Sequence, residues 1–100
     1  MSGCSYSLDN LRGTYFGVVD KEKILFLDIS TYYYKYNGKI ILEGQLKKTN
    51  GKLYFYNFSL SKICSDVPSM DDLTTHSIDY DRSGNIVFFE GVPCCNFIHE

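Results

Sequence analysis

The sequence predicts an all-β domain, and three observations support that prediction. The chain contains no Ala and no Trp but nine Tyr and seven Phe, a composition that disfavours helices and favours strands. Asn37-Gly38 and Asn50-Gly51 each lie between strand-like runs, and Asn-Gly supplies the positive φ angles of a type I′ hairpin turn. Short strand-like runs also recur along the whole chain, as they do in small barrels and sandwiches.

The first elements are a helical turn and a hairpin. Residues 7–11 can make one helical turn, and Gly13–Val19 and Lys23–Ile29 then form two strands of a hairpin. The run that continues to Tyr36 is too long for one ordinary strand, so we expect a break at residues 28–30. Residues 24–27, Ile-Leu-Phe-Leu, are apolar on both faces, which is typical of a strand that is covered on both sides.

The centre of the chain is predicted to be a meander of three strands joined by the Asn-Gly turns. Gly17 and Gly44 fall inside predicted strands, where a glycine often marks a bulge or a barrel corner. The three strands are Ser30–Tyr36, Lys39–Lys47 and Lys52–Ser59.

The last third of the chain mixes loops and strands. Residues 60–75 lack strand periodicity, and a Ser-x-x-Asp pattern could open a short helix at 69–74. Three further strands close the chain, so the total is about eight short antiparallel strands in a small barrel or sandwich. These last strands are His76–Tyr80, Asn85–Glu90 and Cys95–His99.

Several short motifs occur in an order known from one family. Leu11-Arg12-Gly13-Thr14-Tyr15 leads into an apolar strand, residues 28–32 mark a tight turn, and residues 51–58 begin a Gly-Lys strand rich in aromatic residues. This order resembles that of small bacterial lipocalin-like proteins, which also end on a Phe-Ile strand. The resemblance covers about two-thirds of the chain, implies a barrel-like fold and assigns no functional residue. The length of 100 residues predicts a single domain over residues 1–100.

Charge is distributed unevenly along a chain whose net charge is −2. Residues 1–63 hold nine basic and five acidic side chains, whereas residues 64–100 hold one basic and seven acidic ones. Part of the acidic segment, residues 66–81, lies in a long loop, and long loops are often functional. Clustered carboxylates suit a basic partner and speed association with it. The candidate partner-binding carboxylates are Asp66, Asp71, Asp72, Asp79 and Asp81.

A tyrosine-rich run forms the second candidate site. Strand alternation places Tyr32, Tyr34 and Tyr36 on one face and Tyr33 and Lys35 on the other. The run could bind a protein, since tyrosine is enriched in interfaces, or it could line a ligand cavity. Ordinary cross-strand packing is the remaining alternative. We take Tyr33 and Tyr34 as candidate partner-binding residues.

Motifs for catalysis, cofactors and nucleic acids are missing from the sequence. It contains no Gly-x-Ser-x-Gly, no phosphate-binding loop and no Cys-x-x-Cys pair, and His76 and His99 stand apart from any recognisable partner. A pI of about 5.6 and a near absence of Arg argue against binding to nucleic acid. We therefore expect no enzymatic activity, no cofactor, no metal and no nucleic-acid partner.

The cysteines and the amino terminus bear on location. Cys4, Cys64, Cys94 and Cys95 fit no compact disulfide framework, and no signal peptide or membrane span is evident. We therefore expect four reduced thiols in a cytoplasmic protein. One alternative stays open, because Ser2-Gly3-Cys4 matches the end of a lipoprotein cleavage site and a lipidated Cys4 would anchor the chain to a membrane.

Two functions fit these observations. The first is that of an immunity protein of a bacterial toxin–immunity pair, as in contact-dependent growth inhibition, in which carboxylates of the acidic segment replace RNA phosphates over the active site of a basic, nuclease-type toxin. Small size, an acidic segment and missing catalytic motifs are typical of that class. The second is a lipocalin-like barrel that binds a small apolar ligand, with Tyr32, Tyr34 and Tyr36 facing inward.

Overall fold

Eight antiparallel strands form the part of the chain that the structure describes, as the sequence predicts. The structure is a computed structural model that describes residues 11–49, 51–64, 73–79 and 85–99. The strands are β1 (Gly13–Gly17), β2 (Lys23–Leu27), β3 (Thr31–Tyr36), β4 (Lys39–Thr49), β5 (Lys52–Phe58), β6 (Thr74–Asp79), β7 (Asn85–Val87) and β8 (Asn96–His99).

The strands form one sheet in the order β6-β5-β4-β3-β2-β1-β8-β7, which curls into a nearly closed barrel. The two end strands of this order approach each other at a seam. There the imidazole Nε2 of His76 on β6 donates a hydrogen bond of 2.9 Å to the carbonyl oxygen of Phe88, the residue after β7. The rings of His76 and Phe88 are also in contact, with centroids 5.9 Å apart. This side chain therefore joins the two ends of the sheet.

The predicted break at residues 28–30 and the predicted turn at Asn37-Gly38 are confirmed, whereas Asn50 of the second turn lies outside the described residues. Strand β2 ends at Leu27 and β3 begins at Thr31, so the long run is interrupted where we expect it. Between β3 and β4, Asn37 has a φ of 52° and Gly38 a φ of 83°, which are the positive angles of a type I′ turn.

Strand β4 bends as it passes from one neighbour to the next. It pairs with β3 up to Gln45 and with β5 from Leu46 onward. Gly44 lies at this change of partner, and a Cβ atom there would collide with the carbonyl oxygen of Tyr56. The glycine thus permits the close approach of two backbones, in agreement with its predicted place at a corner.

The inside of the barrel is filled by aromatic and aliphatic side chains. Phe88 lies among Phe55, Phe58 and Phe97, with ring centroids 5.1, 4.9 and 5.6 Å away. Strand alternation supplies most of the remaining core. Its largest fully buried members are Tyr15, Tyr32, Tyr34, Phe55, Phe58, Phe97, Leu25, Leu27, Leu53, Ile63, Ile86 and Cys95.

Helical segments differ from the prediction in place and length. The described residues contain single 3₁₀ turns at Leu60–Lys62 and Pro93–Cys95, which are much shorter than a membrane-spanning helix. The predicted helix at 69–74 overlaps the described residues only at its end, where Thr74 begins β6 instead. The predicted turn at 7–11 lies outside the described residues except for Leu11.

Six of the eight predicted strands are longer than the observed ones, and the last two strands are among them. Strand β7 ends at Val87 rather than Glu90, and β8 begins at Asn96 rather than Cys95. The amide of Cys95 donates to the carbonyl of Val92 at 2.9 Å, and Pro93 has the fixed φ angle that suits the first residue of such a turn. Cys95, which the sequence pattern assigned to a strand, therefore belongs to this turn instead.

Candidate functional site

The outer surface of β8, β1, β2 and β3 is apolar. Phe16 on β1 pairs with Ile24 on one side and with Ile98 on the other. Phe26 on β2 pairs with Tyr33 on β3, and their rings stack with centroids 5.1 Å apart. Ile98 is exposed, whereas the other four of these side chains are half-buried. We call Phe16, Ile24, Phe26, Tyr33 and Ile98 the apolar face.

Charged side chains border the apolar face toward β4. Lys35 pairs with Ile24, and its Nζ lies 5.3 Å from the centroid of the Tyr33 ring, which is within the range of a cation–π contact. Glu43 on β4 lies opposite Tyr33. An apolar centre with a charged margin is the composition of a protein-binding surface.

A surface pocket of about 430 Å³ adjoins the apolar face. The tight turn after β1 forms part of its wall. Gly17 permits this turn, because a side chain at that position would collide with the carbonyl oxygen of Asp20. His99 closes one side, since its ring stacks on Tyr15 at 4.4 Å and its Nε2 donates to the carbonyl of Arg12 at 3.0 Å. The pocket is lined by Phe16, Gly17, Val18, Lys21, Ile98 and His99.

Of the five candidate carboxylates, the structure places one. Asp79 lies at the end of β6, its side chain is 82% exposed, and its Oδ1 is 2.9 Å from the Nζ of Lys52. This hydrogen bond raises the pKa of Lys52. The two halves of the charge pattern are therefore in contact at this point. The other four carboxylates, Asp66, Asp71, Asp72 and Asp81, lie outside the described residues.

The two candidate tyrosines point in opposite directions. Tyr33 belongs to the apolar face, in the position that a partner-binding role requires. Tyr34 is 1% exposed and packs edge-on against Phe97 at 6.1 Å, so its assignment as a surface contact is wrong. The error has a simple cause, because adjacent residues of a strand face opposite sides of the sheet.

Tyrosine hydroxyls in the interior have structural partners. The hydroxyl of Tyr32 donates to the carbonyls of Tyr56 at 2.7 Å and Asn57 at 3.1 Å, and that of Tyr15 donates to Leu11 at 2.7 Å. Burial raises the pKa of Tyr15 to about 12 and also raises that of Tyr32. An apolar ligand inside the barrel would have to displace these packed rings.

Both histidines serve the barrel through backbone hydrogen bonds. His76 holds the seam at Phe88, and its ring also stacks on Phe58 with centroids 5.0 Å apart. Burial lowers the pKa of His76, although the hydrogen bond to Phe88 opposes that shift. His99 is held by Arg12 and Tyr15. The geometry thus gives each imidazole a packing role.

The cysteines correct the expectation of four reduced thiols. Cys64 and Cys94 form a disulfide, with Cα atoms 5.7 Å apart across a sequence separation of 30 residues. The Sγ of Cys95 lies in the same cluster, and all three sulfur atoms are within 4.8 Å of one another. Sequence reasoning missed the cluster because two of its members are adjacent in the chain and the third is distant. Cys4 lies outside the described residues.

Comparison of the chain with models of protein families, with curated proteins and with solved structures finds no match. Functional inference for this protein therefore depends on the geometry of its own side chains. Within the described residues, the apolar face and the three-cysteine cluster are two features that the packing of the barrel does not account for.

Proposed function

We propose that this protein is a non-enzymatic, immunity-type inhibitor that binds a cognate bacterial toxin and covers its active site. The apolar face is the observation that supports a binding role. Contiguous apolar side chains on a protein surface mark sites of interaction, and aromatic residues such as Phe16, Phe26 and Tyr33 supply much of the affinity in protein interfaces.

A protein partner fits this surface better than a small apolar ligand does. The interior, where a lipocalin-like barrel would hold its ligand, is filled by the rings of Tyr32, Phe55, Phe58 and Phe97. The side chains of the apolar face, of which Ile98 is exposed and the other four are half-buried, lie on the outside of four neighbouring strands. That arrangement favours a broad, shallow contact of the kind that proteins make with one another.

The acidic segment indicates which kind of toxin the proposed inhibitor would bind. Asp79 is exposed on β6, and the acidic residues nearby in the sequence favour a toxin with a cationic active site, such as a nuclease. Carboxylates there would take the places of RNA phosphates and block substrate entry. Charges at the rim of an interface mainly raise the association rate, whereas a buried apolar centre slows dissociation.

The test is to co-express the chain with secreted nuclease-type toxins, beginning with any encoded beside its gene, and to measure complex formation and nuclease activity. We expect a stable complex on size-exclusion chromatography and loss of nuclease activity. Ile98→Asp should weaken the complex, whereas Ile29→Asp, in the turn between β2 and β3, should not, and these side chains are 50% and 56% exposed in the native protein. A chain that leaves the toxin unbound and active would refute the proposal.

A second pair of variants separates the two surfaces. Replacing Asp66, Asp71 and Asp72 with Ala should slow association and reduce its dependence on salt. The Ile98→Asp variant should instead speed dissociation. If the triple variant associates at the native rate at every salt concentration, the acidic segment has no part in recognising the toxin.

A further inference from the structure

Three cysteine sulfurs form a cluster that the proposed inhibitor function does not use. The Sγ atoms of Cys64, Cys94 and Cys95 all lie within 4.8 Å of one another. Cys64 and Cys95 are buried, and Cys94 is half-buried. A metal ion bound to three thiolates at about 2.3 Å each requires sulfurs roughly 4 Å apart. The three sulfurs are therefore close enough to share one metal ion once the Cys64–Cys94 disulfide is reduced and its two sulfurs separate to that distance.

Two hydrogen-bonded turns hold the sulfurs together. The amide of Cys64 donates to the carbonyl of Leu60 at 3.1 Å, which fixes it at the end of one 3₁₀ turn. Cys94 and Cys95 belong to the second 3₁₀ turn, where the Cys95 carbonyl accepts from the amide of Phe88 at 3.0 Å. Each ligand is thus held by its backbone before any ion binds, and preorganisation of this kind favours binding.

One lysine is bound to the backbone next to Cys64 in the chain. The Nζ of Lys23 donates to the carbonyl oxygen of Ile63 at 2.8 Å, in a partly buried position one residue before Cys64. A positive charge beside a cysteine stabilises its thiolate. Three thiolates and one monovalent metal ion leave a net negative charge, which Lys23 partly compensates.

We propose that Cys64, Cys94 and Cys95, when reduced, form a binding site for a soft metal ion of the Cu(I) type. Thiolates select soft ions, and three of them complete a three-coordinate shell. Zn²⁺ prefers four ligands, and the cluster of described residues offers three. The site is independent of the proposed inhibitor function, because none of its residues belongs to the apolar face or to the acidic segment.

The disulfide and the metal site are alternative states of the same residues. A dithiol reductant transfers two electrons and two protons to the Cys64–Cys94 disulfide and becomes a disulfide itself. The three thiols of the reduced cluster then lose three protons as the ion binds to their sulfurs. Oxidation of Cys64 and Cys94 removes two ligands, so the oxidised chain should bind the ion weakly.

The test uses the whole chain and Cu(I) held by the coloured chelator bicinchoninate, under nitrogen. Protein reduced with dithiothreitol and then desalted should remove one equivalent of Cu(I) from the chelator. We expect Cys64→Ser and Cys95→Ser to weaken binding by roughly 100-fold or more, because even residues that only support a ligand change metal affinity 10- to 100-fold. Cys4→Ser is the matched control and should bind as the native chain does.

Three results would overturn the assignment. These are native affinity in Cys64→Ser and Cys95→Ser, equal affinity in the oxidised chain, and displacement of Cu(I) by equimolar Zn²⁺. Because Cys95 is buried, Cys94→Ser at the half-buried position provides a variant with less risk of misfolding. Cu(I) should raise the thermal unfolding midpoint of the reduced native chain and of Cys4→Ser, and an absence of any such rise would also count against the site.

Discussion

The two outer faces of the barrel differ although the side chains beneath them are alike. Outside β8, β1, β2 and β3 lies the apolar face. Outside β4, β5 and β6 the cross-strand neighbours are Lys47, Tyr54 and Ser77, and Lys52 pairs with Asp79. We call these five residues the polar face. Both faces cover an interior of tightly packed aromatic and aliphatic residues.

The polar face shows that this barrel can fold with polar side chains on its outer surface. An antiparallel sheet with one buried face commonly exposes polar side chains on the other. Strands β5 and β6 and the half of β4 that pairs with β5 follow that rule, whereas the first half of β4 exposes Ile40 and Ile41. Strands β1 to β3 depart from it, although their interior residues, such as Leu25 and Tyr34, are just as well buried. Since the barrel tolerates a polar exterior, the apolar face is better explained by binding than by folding.

The largest effect should come from the interior that the two faces share. Phe88→Ala removes the ring that contacts Phe55, Phe58 and Phe97 and should lower the free energy of unfolding by about 3–5 kcal/mol. Phe89→Ala, at a neighbouring side chain that is 39% exposed, should change it by less than about 0.5 kcal/mol. Urea denaturation measures both variants, and equal losses would mean that the core is not continuous across the seam.

The sequence predicts this fold well because its signals are local. Tyr and Phe in alternation, together with the Asn37-Gly38 turn, specify strands and hairpins without reference to distant residues. The boundary at Cys95 was misplaced because the choice between strand and turn there depends on the hydrogen bond to Val92. The seam at His76 depends on contact between the two ends of the sheet, which no local pattern encodes.

Alkaline pH should weaken the packing beneath the apolar face. Burial raises the pKa of Tyr15 and of Tyr34 to about 12, against about 10 in an unfolded chain. Above pH 10 the unfolded state therefore loses protons that the folded state keeps, and stability falls as pH rises toward 12. The loss is about 1.4 kcal/mol per pH unit for each such tyrosine.

Two variants check this pH dependence. Tyr15→Phe and Tyr34→Phe should each reduce the slope of unfolding free energy against pH between 10 and 12, as followed by urea denaturation in a buffer series. Their effects should add in the double variant, because the two groups titrate separately. An unchanged slope in both variants would assign the alkaline loss of stability to other groups.

A smaller effect is expected from the hydrogen bonds that join the two regions. The hydroxyl of Tyr32 on β3 donates to the backbone of Tyr56 and Asn57 on β5. Tyr32→Phe leaves those partly buried carbonyls without this donor and should cost about 1 kcal/mol. Tyr34→Phe keeps its ring contact with Phe97 and should cost less at neutral pH, and the reverse order would show that Tyr32 does not link the regions.

The functional surface was harder to predict than the fold. Residues 24–27 predict a strand that is apolar and covered on both faces. In the structure, the inward side chains of this strand are buried, whereas Ile24 and Phe26 lie on the outside and are only half-buried. Ile98 joins them from the far end of the chain through its pairing with Phe16. A sequence shows that a strand has two apolar sides, whereas only the assembled sheet shows which strands combine their outer sides into one surface.

The smallest effect should come from the ion pair on the polar face. Asp79→Asn removes the charge that bonds Lys52, but exposed ion pairs are screened by water and salt and contribute little to stability. We expect the thermal unfolding midpoint to stay within experimental error, and likewise for Lys52→Gln as the matched control. A clear fall in both variants would make the polar face a stabilising element and would weaken its use as the reference for the apolar face. An unchanged midpoint would leave Asp79 available to the proposed basic partner, because a carboxylate that adds nothing to folding can exchange Lys52 for another cation.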